Sequence, residues 1–394
     1  ELQLASFQLC EACRQAHTVH LRVDEAFQTA VLATVDGLPG DDASSFFSRI
    51  PRLRVRRVTW KLPSLDLMSE VMDVLGQVEE LLFGELFDST VAGRAWPSGL
   101  RKMEFDWHSS FNQPIVEAAW PVSLERLTFG SSFNQPIEEV SWPTSLHELT
   151  FSRNFDQPIE QVTWPKSLQQ LTLGEMFNRT VERVEWPASL QELTIGDAFD
   201  QPIEDMTWPE SLQQLTLGDG IARVKWPKSL QQITFGYDFN RTIVRVEWPG
   251  SVQRLTFAGC FNQPIEGVTW PTSLMWLILD GRFNQPVEGV KWPTSLRQLV
   301  LGAGFNHPIE GVTWPETLQD IYLGYAFDQP IENVTWPTSL QELTFGYSFD
   351  HPIERATWPA SLQQLVFSGK FDQPVEASVL PSALVDLDFG FFFN

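Results

Sequence analysis

The sequence has 394 residues, with 27 basic and 50 acidic side chains and a formal net charge of −23. That balance argues against a nucleic-acid binder, which needs a basic face for phosphate, and against attraction to anionic membrane surfaces. No run of 18 apolar residues is present to cross a bilayer, and three cysteines are too few for a disulfide scaffold.

In chain order, residues 1–57 show no clean repeat and are expected to form a small helical N-terminal cap. Cys10, Cys13, His17 and His20 resemble a zinc set. On one helix they would spread over about 15 Å, whereas zinc draws its ligands to within roughly 2.0–2.3 Å. An amphipathic helix is therefore the reading, with no metal and no cofactor. The chain starts at Glu1 rather than Met, which leaves a removed targeting segment open; the default compartment is cytoplasmic. Residues 58–110 read as degenerate repeats. Val58-Thr59-Trp60 opens them, a helical insertion over Ser64 to Gln77 follows, and Val78, Leu81, Phe83 and Gly84 give a strand pattern. Phe87 to Ser110 is a 24-residue unit holding Trp96-Pro97 and Leu100.

From residue 111 the pattern is regular. Tryptophans stand at 120, 142, 164, 186 and 208, and again from 226 to 358, in steps of 22. One unit reads F-N-Q-P-I-E-x-V-x-W-P-x-S-L-Q-x-L-T-F-G-x-x. Thirteen units fill 111–394, one of them a short unit over 221–238 that lacks the F-N-Q-P segment. A missing corner there is expected to leave a bend or notch. Phe393-Asn394 opens a fourteenth unit, so the C-terminal edge is expected to be capped by further chain, another copy or a partner.

The residue types say why the unit recurs. L-x-x-L-T-F-G is a short strand with Leu and Phe facing one way and Thr the other. Proline after Trp forbids helix at the Trp and favours extended backbone. Two prolines in 22 residues leave no room for a helix on the back of each coil. Asn or Asp after the first Phe suits a corner, because its side chain bonds neighbouring backbone. A single unit cannot close a core, so the fold class is a stacked, leucine-rich-repeat-like solenoid: mostly β, with short stacked strands and an irregular, proline-containing convex side. At about 4.8 Å per coil, thirteen coils would extend roughly 60 Å.

F-N-Q-P-I, as at Phe111 to Ile115 and Phe133 to Ile137, resembles the FNIP repeat, a relative of the leucine-rich repeat found in social amoebae, unicellular algae and giant viruses. The resemblance covers 111–394, with traces back to about 58. It implies the solenoid and an interaction role, and it names no partner.

Chemistry is sparse. His307 and His351 occupy the Gln position of F-N-Q-P and read as variants of it. Asn178, Asn240 and Asn333 stand in N-x-T sequons, relevant only to a secreted chain. No catalytic constellation is present, so the chain is not read as an enzyme. A column of glutamates runs through Glu138, Glu160, Glu182, Glu204, Glu266, Glu288, Glu310, Glu332, Glu354 and Glu376. It reads as a solvated edge, with an anionic stripe for a basic partner or for calcium as the sharper alternative. The outward strand threonines, Thr128, Thr150, Thr172, Thr194, Thr216, Thr234 and Thr256, suggest ice binding only weakly, since the adjoining outward column is mixed Gln, Glu and Arg.

In a repeat array the departures from consensus point to function. After Thr256 the outward column becomes Ile278, Val300, Tyr322, Thr344 and Val366, and Met275 and Trp276 replace the usual polar flank. Tyr237, Tyr322, Tyr325 and Tyr347 all fall on this strand or just after it. Met275, Trp276, Ile278, Val300, Tyr322, Tyr325, Tyr347 and Val366 are therefore the candidate partner-binding residues, because Trp and Tyr dominate interface hot spots and contiguous exposed apolar surface marks interaction sites. The leading function is a non-enzymatic protein-interaction scaffold whose partner carries a basic surface. The runner-up is a structural or peripheral subunit of a larger assembly, and a third reading is carbohydrate or ice-surface recognition.

Overall fold

The computed structural model describes residues 19–23, 55–65, 78–203, 206–219, 224–367, 369–376 and 379–393. The expected Cys10, Cys13 and His17 helix, most of the cap and of the helical insertion, Glu204, Ile221 and Asn394 lie outside the described residues.

The chain divides into two compact units, Glu1–Glu192 and Leu193–Asn394. In the first unit the strands are β1 (Val19–Val23), β2 (Val55–Trp60), β3 (Glu80–Phe83), β4 (Lys102–Phe105), β5 (Arg126–Thr128), β6 (Glu148–Thr150) and β7 (Gln170–Thr172). Each pairs in parallel with the next. β8 (Glu192–Thr194) falls where one unit ends and the other begins. The second unit holds β9 (Gln214–Leu217), β10 (Gln232–Phe235), β11 (Arg254–Phe257), β12 (Trp276–Leu279), β13 (Gln298–Leu301), β14 (Asp320–Leu323), β15 (Glu342–Thr344), β16 (Gln364–Val366) and β17 (Asp386–Asp388). These too pair in parallel, neighbour to neighbour. The architecture is a parallel β-solenoid, and the described residues contain no α-helix.

One expectation is corrected at the N-terminus. His20 lies on strand β1, not on a helix, and its Nε2 stands 2.6 Å from Thr59 Oγ1 on β2. The physical reason is alternation. In V-H-L-R-V, Leu21 and Val23 are buried while His20 and Arg22 face out, the period of a half-buried strand rather than of a helix face.

Within each coil the consensus residues bond to the coil before. Asn134 Oδ1 accepts the Asp156 N–H at 2.9 Å and the Gln157 amide at 2.9 Å. The same pair of contacts links Asn112 to Asn134 and Gln135, and Asn262 to Asn284 and Gln285. Asn therefore serves as a rung between coils, offering one carbonyl to two donors. His307 Nε2 stands 3.1 Å from Asn284 O, and His351 Nε2 3.2 Å from Asp328 O. Gln157 Nε2 bonds Asn134 O in the same way, so both histidines do the work of the glutamine they replace. In W-P-x-S-L, proline's carbonyl takes the Leu N–H, as for Leu146 and Pro143 at 3.1 Å, and the serine hydroxyl donates across coils, as from Ser167 to Leu146 O at 2.7 Å. Satisfying these groups internally lets an irregular side of the coil be buried at all.

The core is aromatic. Phe111, Phe133 and Phe155 are fully buried and stack down the array at 5.9 and 6.3 Å, and Phe129 lies 4.1 Å from Phe133. Burying one such ring contributes about 2–3 kcal/mol. The final glycine of L-T-F-G permits close stacking: a Cβ on Gly324 or Gly346 would collide with the carbonyl oxygen of the equivalent glycine one coil earlier, Gly302 or Gly324. The corner of the short unit, 220–223, lies outside the described residues; beyond it a cleft of about 560 Å³ is lined by Trp226 and Pro249, with Lys225 and Lys228 beside them.

Candidate interaction face

All eight residues singled out in the sequence belong to the second unit. Strand alternation sends Leu277, Leu299, Ile321 and Leu365 inward, each fully buried, and leaves Trp276, Ile278, Val300, Tyr322 and Val366 half-buried on the outward side. Register places Ile278 against Val300 and Val300 against Tyr322, so three apolar side chains stand in adjacent coils without a break. Thr344 follows Tyr322 and separates it from Val366. Trp276 is opposite Arg254, whose guanidinium carbon sits 5.7 Å from the indole centroid, the arrangement of a cation on an aromatic face. Met275 is half-buried, and its N–H and that of Trp276 share the Gln253 carbonyl.

Tyr325 and Tyr347 form a second group just past the strand ends. Their rings are parallel to within 1° at 4.8 Å, and Tyr325 is 58% exposed. The Tyr347 ring covers Gly369, whose φ of +52° and contact with the ring both favour the absence of a side chain. Phe392 meets Tyr347 edge-on at 6.4 Å. Tyr237 stands apart, 57% exposed, its ring lying over Gly259.

Sequence reasoning missed the polar half of this face. Tyr322 donates its hydroxyl to Glu342 Oε2 at 2.9 Å. Burial first, then that bond and the charges of Glu342 and Asp320, push the phenol up to about 12, against a smaller lowering by Gln298. Asp320 is paired in register with Glu342. Burial, then the Glu342 charge, raises its carboxyl above the ordinary range. The signal was available: at 22-residue spacing this column runs Gln298, Asp320, Glu342, two like charges on adjacent strands.

The other ladders carry less. Glu138, Glu266, Glu310 and Glu354 of the glutamate column are exposed, and among the described residues no group of three or more His, Cys, Asp or Glu converges as a metal site would. Thr128, Thr150 and Thr172 are in register with one another, but Arg126, Glu148 and Gln170 make up the adjoining rank. No helix among the described residues is long and apolar enough to cross a membrane.

The FNIP Repeat family model matches residues 111–154, 133–176, 177–220, 305–348 and 349–392, together half of the chain. The chain belongs to the FNIP-repeat family. Among solved structures it resembles the giant-virus protein CroV588, described as a novel circular LRR protein, at 34% identity and a TM-score of 0.68, over 86% of this chain and 54% of that one. The FNIP chain thus spans about half the length of that relative. The fold is shared with Drosophila Toll in its complex with Spatzle, at 14% identity and a TM-score of 0.53 over 89% of this chain and 46% of that one. It is also shared with TLR13 in its complex with ssRNA13, at 13% identity and a TM-score of 0.51 over 96% and 57%. No curated protein matches in sequence. The leucine-rich-repeat-like solenoid is a fold typical of protein-interaction scaffolds and typically non-enzymatic.

Proposed function

We propose that this FNIP-repeat protein is a non-enzymatic scaffold that binds a protein partner through the outward strand face of its second unit. The observation that carries the reading is the unbroken run Ile278, Val300, Tyr322 on adjacent strands, half-buried, where other coils place threonine. An apolar run at an outward position costs solubility without adding to the core, whose inward positions Leu277, Leu299 and Ile321 already fill. Trp276, Tyr325 and Tyr347 border it and supply the large, stiff side chains that concentrate binding energy, and Met275 and Val366 extend the apolar surface. The alternative, a structural subunit held in a larger assembly with the whole solenoid as a spacer, differs in giving a stoichiometric rather than an exchangeable complex.

Affinity capture from the native cells, quantified by mass spectrometry, tests this. The wild type should retain a protein that Trp276→Ala and Ile278→Ser/Val300→Ser lose by tenfold or more, an effect on the order of the ~2 kcal/mol of a hot spot. Thr128→Ser/Thr150→Ser, on the first unit, should retain it. Equal retention by all forms would refute the assignment. Capture at fixed stoichiometry that resists washing would favour the assembly subunit.

A further inference from the structure

Elsewhere on the strand face carboxylates meet cations from the neighbouring coil. Arg57 bridges to Glu80 at 2.5 Å and Arg126 to Glu148 at 3.3 Å, register partners on adjacent strands. Along strand β4 itself Lys102 also reaches Glu104, at 2.6 Å. On the strands of the second unit this arrangement stops among the described residues, although Arg241 still bridges to Asp219 beyond the strand end. Arg254 faces the Trp276 indole, and Asp320 and Glu342 stand side by side in register with no cation paired to either among the described residues. Arg297 offers its backbone carbonyl to the Asp320 N–H at 3.0 Å, but its side chain is exposed and bridges neither carboxylate. Two half-buried carboxylates on adjacent strands repel. Among the described residues the side-chain partner of this pair is the Tyr322 hydroxyl, a neutral donor that spans to Glu342. The pair adjoins the apolar run directly, since Tyr322 belongs to both.

Resting on the strand-face reading, we infer that the bound partner presents a lysine or arginine flanked by apolar side chains, the cation seated on Asp320 and Glu342 and the apolar neighbours on Ile278, Val300 and Tyr322. Charge complementarity selects this occupant. The face carries two carboxylates lacking a counter-ion beside an apolar strip, and a cation brought from outside relieves their repulsion as it binds, which adds specificity as well as affinity. A chain with net charge −23 would also steer such a partner during approach.

The test is selection of a random peptide display library on the full chain, followed by affinity measurement on the selected peptides. Enriched peptides should carry Lys or Arg next to an aromatic or aliphatic residue and compete for the face, losing binding to Ile278→Ser/Val300→Ser. Asp320→Asn/Glu342→Gln, which keeps shape and removes charge, should weaken them about tenfold and flatten their salt dependence. Asp320→Lys/Glu342→Lys should turn selection toward acidic peptides. Peptides that need Ile278 and Val300 yet carry no basic residue, or that ignore the neutral variant, would overturn the partner chemistry and leave the strand-face reading standing. Selected peptides indifferent to Ile278 and Val300 would defeat both. A dimer of the chain that dissociates on Ile278→Ser/Val300→Ser would seat a second copy on the face and overturn the proposal.

Discussion

At the scale of the residue, the strongest departures from ordinary behaviour gather around Tyr322. Its phenol is raised to about 12, so the folded chain holds that proton more tightly than the unfolded chain between about pH 10 and 12. The contribution to stability is present below about pH 10, where both states are protonated, and is lost as pH rises toward 12. Absorbance titration of the four tyrosines should show one late component, absent in Tyr322→Phe and shifted to lower pH in Glu342→Gln, which keeps an acceptor and removes the charge. A single transition unaffected by either substitution would contradict the described contacts. Tyr322 was legible as a departure from threonine. Its bond to Glu342 was not, because no local pattern says which way a tyrosine hydroxyl turns on a sheet.

At the scale of the element, the coil was largely readable. Leu, Phe and Trp recur at fixed offsets because each must meet its copy in the next coil, so the core and the strands L-T-F and L-T-L follow from the spacing alone. The corner was readable only in kind. Asn in F-N-Q-P was expected to bond neighbouring backbone, and the structure shows that the backbone belongs to the next coil, 22 residues on. His20 shows the opposite failure: V-H-L-R-V stands outside the 22-residue register, and four metal-like ligands drew attention to helical spacing when two buried apolar residues set a strand. The inter-coil role of Asn134 gives a direct expectation. Asn134→Ala removes the acceptor of both the Asp156 N–H and the Gln157 amide, and denaturant unfolding should show a loss of about 1–3 kcal/mol. Asn154→Ala, at an exposed corner position outside that ladder, should change stability by less than about 0.5 kcal/mol.

At the scale of the whole molecule, repetition both reveals and conceals. It fixes the solenoid from one chain without any relative in hand, because thirteen copies serve as their own alignment. The same repetition makes most surface residues uninformative about function, since a glutamate or threonine column reports the coil and nothing else. Among the described residues, only the interval from Met275 to Val366 combines apolar substitution, aromatic stacking at Tyr325 and Tyr347, and the unbridged Asp320–Glu342 pair. The acidic half of that interval was present in the 22-residue spacing, but Asp and Glu recur along that column, as at Glu148 and Asp386, and what marks Asp320 and Glu342 is the folded arrangement around them.

A protein partner bound as proposed would cover this interval. Hydroxyl-radical footprinting of the chain, free and with its captured partner, tests it most directly, since Met, Trp and Tyr are the reactive side chains and the face is built from them. Partner binding should protect Met275, Trp276, Tyr322, Tyr325 and Tyr347 and leave Trp107, Met176 and Tyr237 unchanged. Protection confined to Trp107, Met176 or Tyr237, with the 275–366 face still open to the radical, would contradict it.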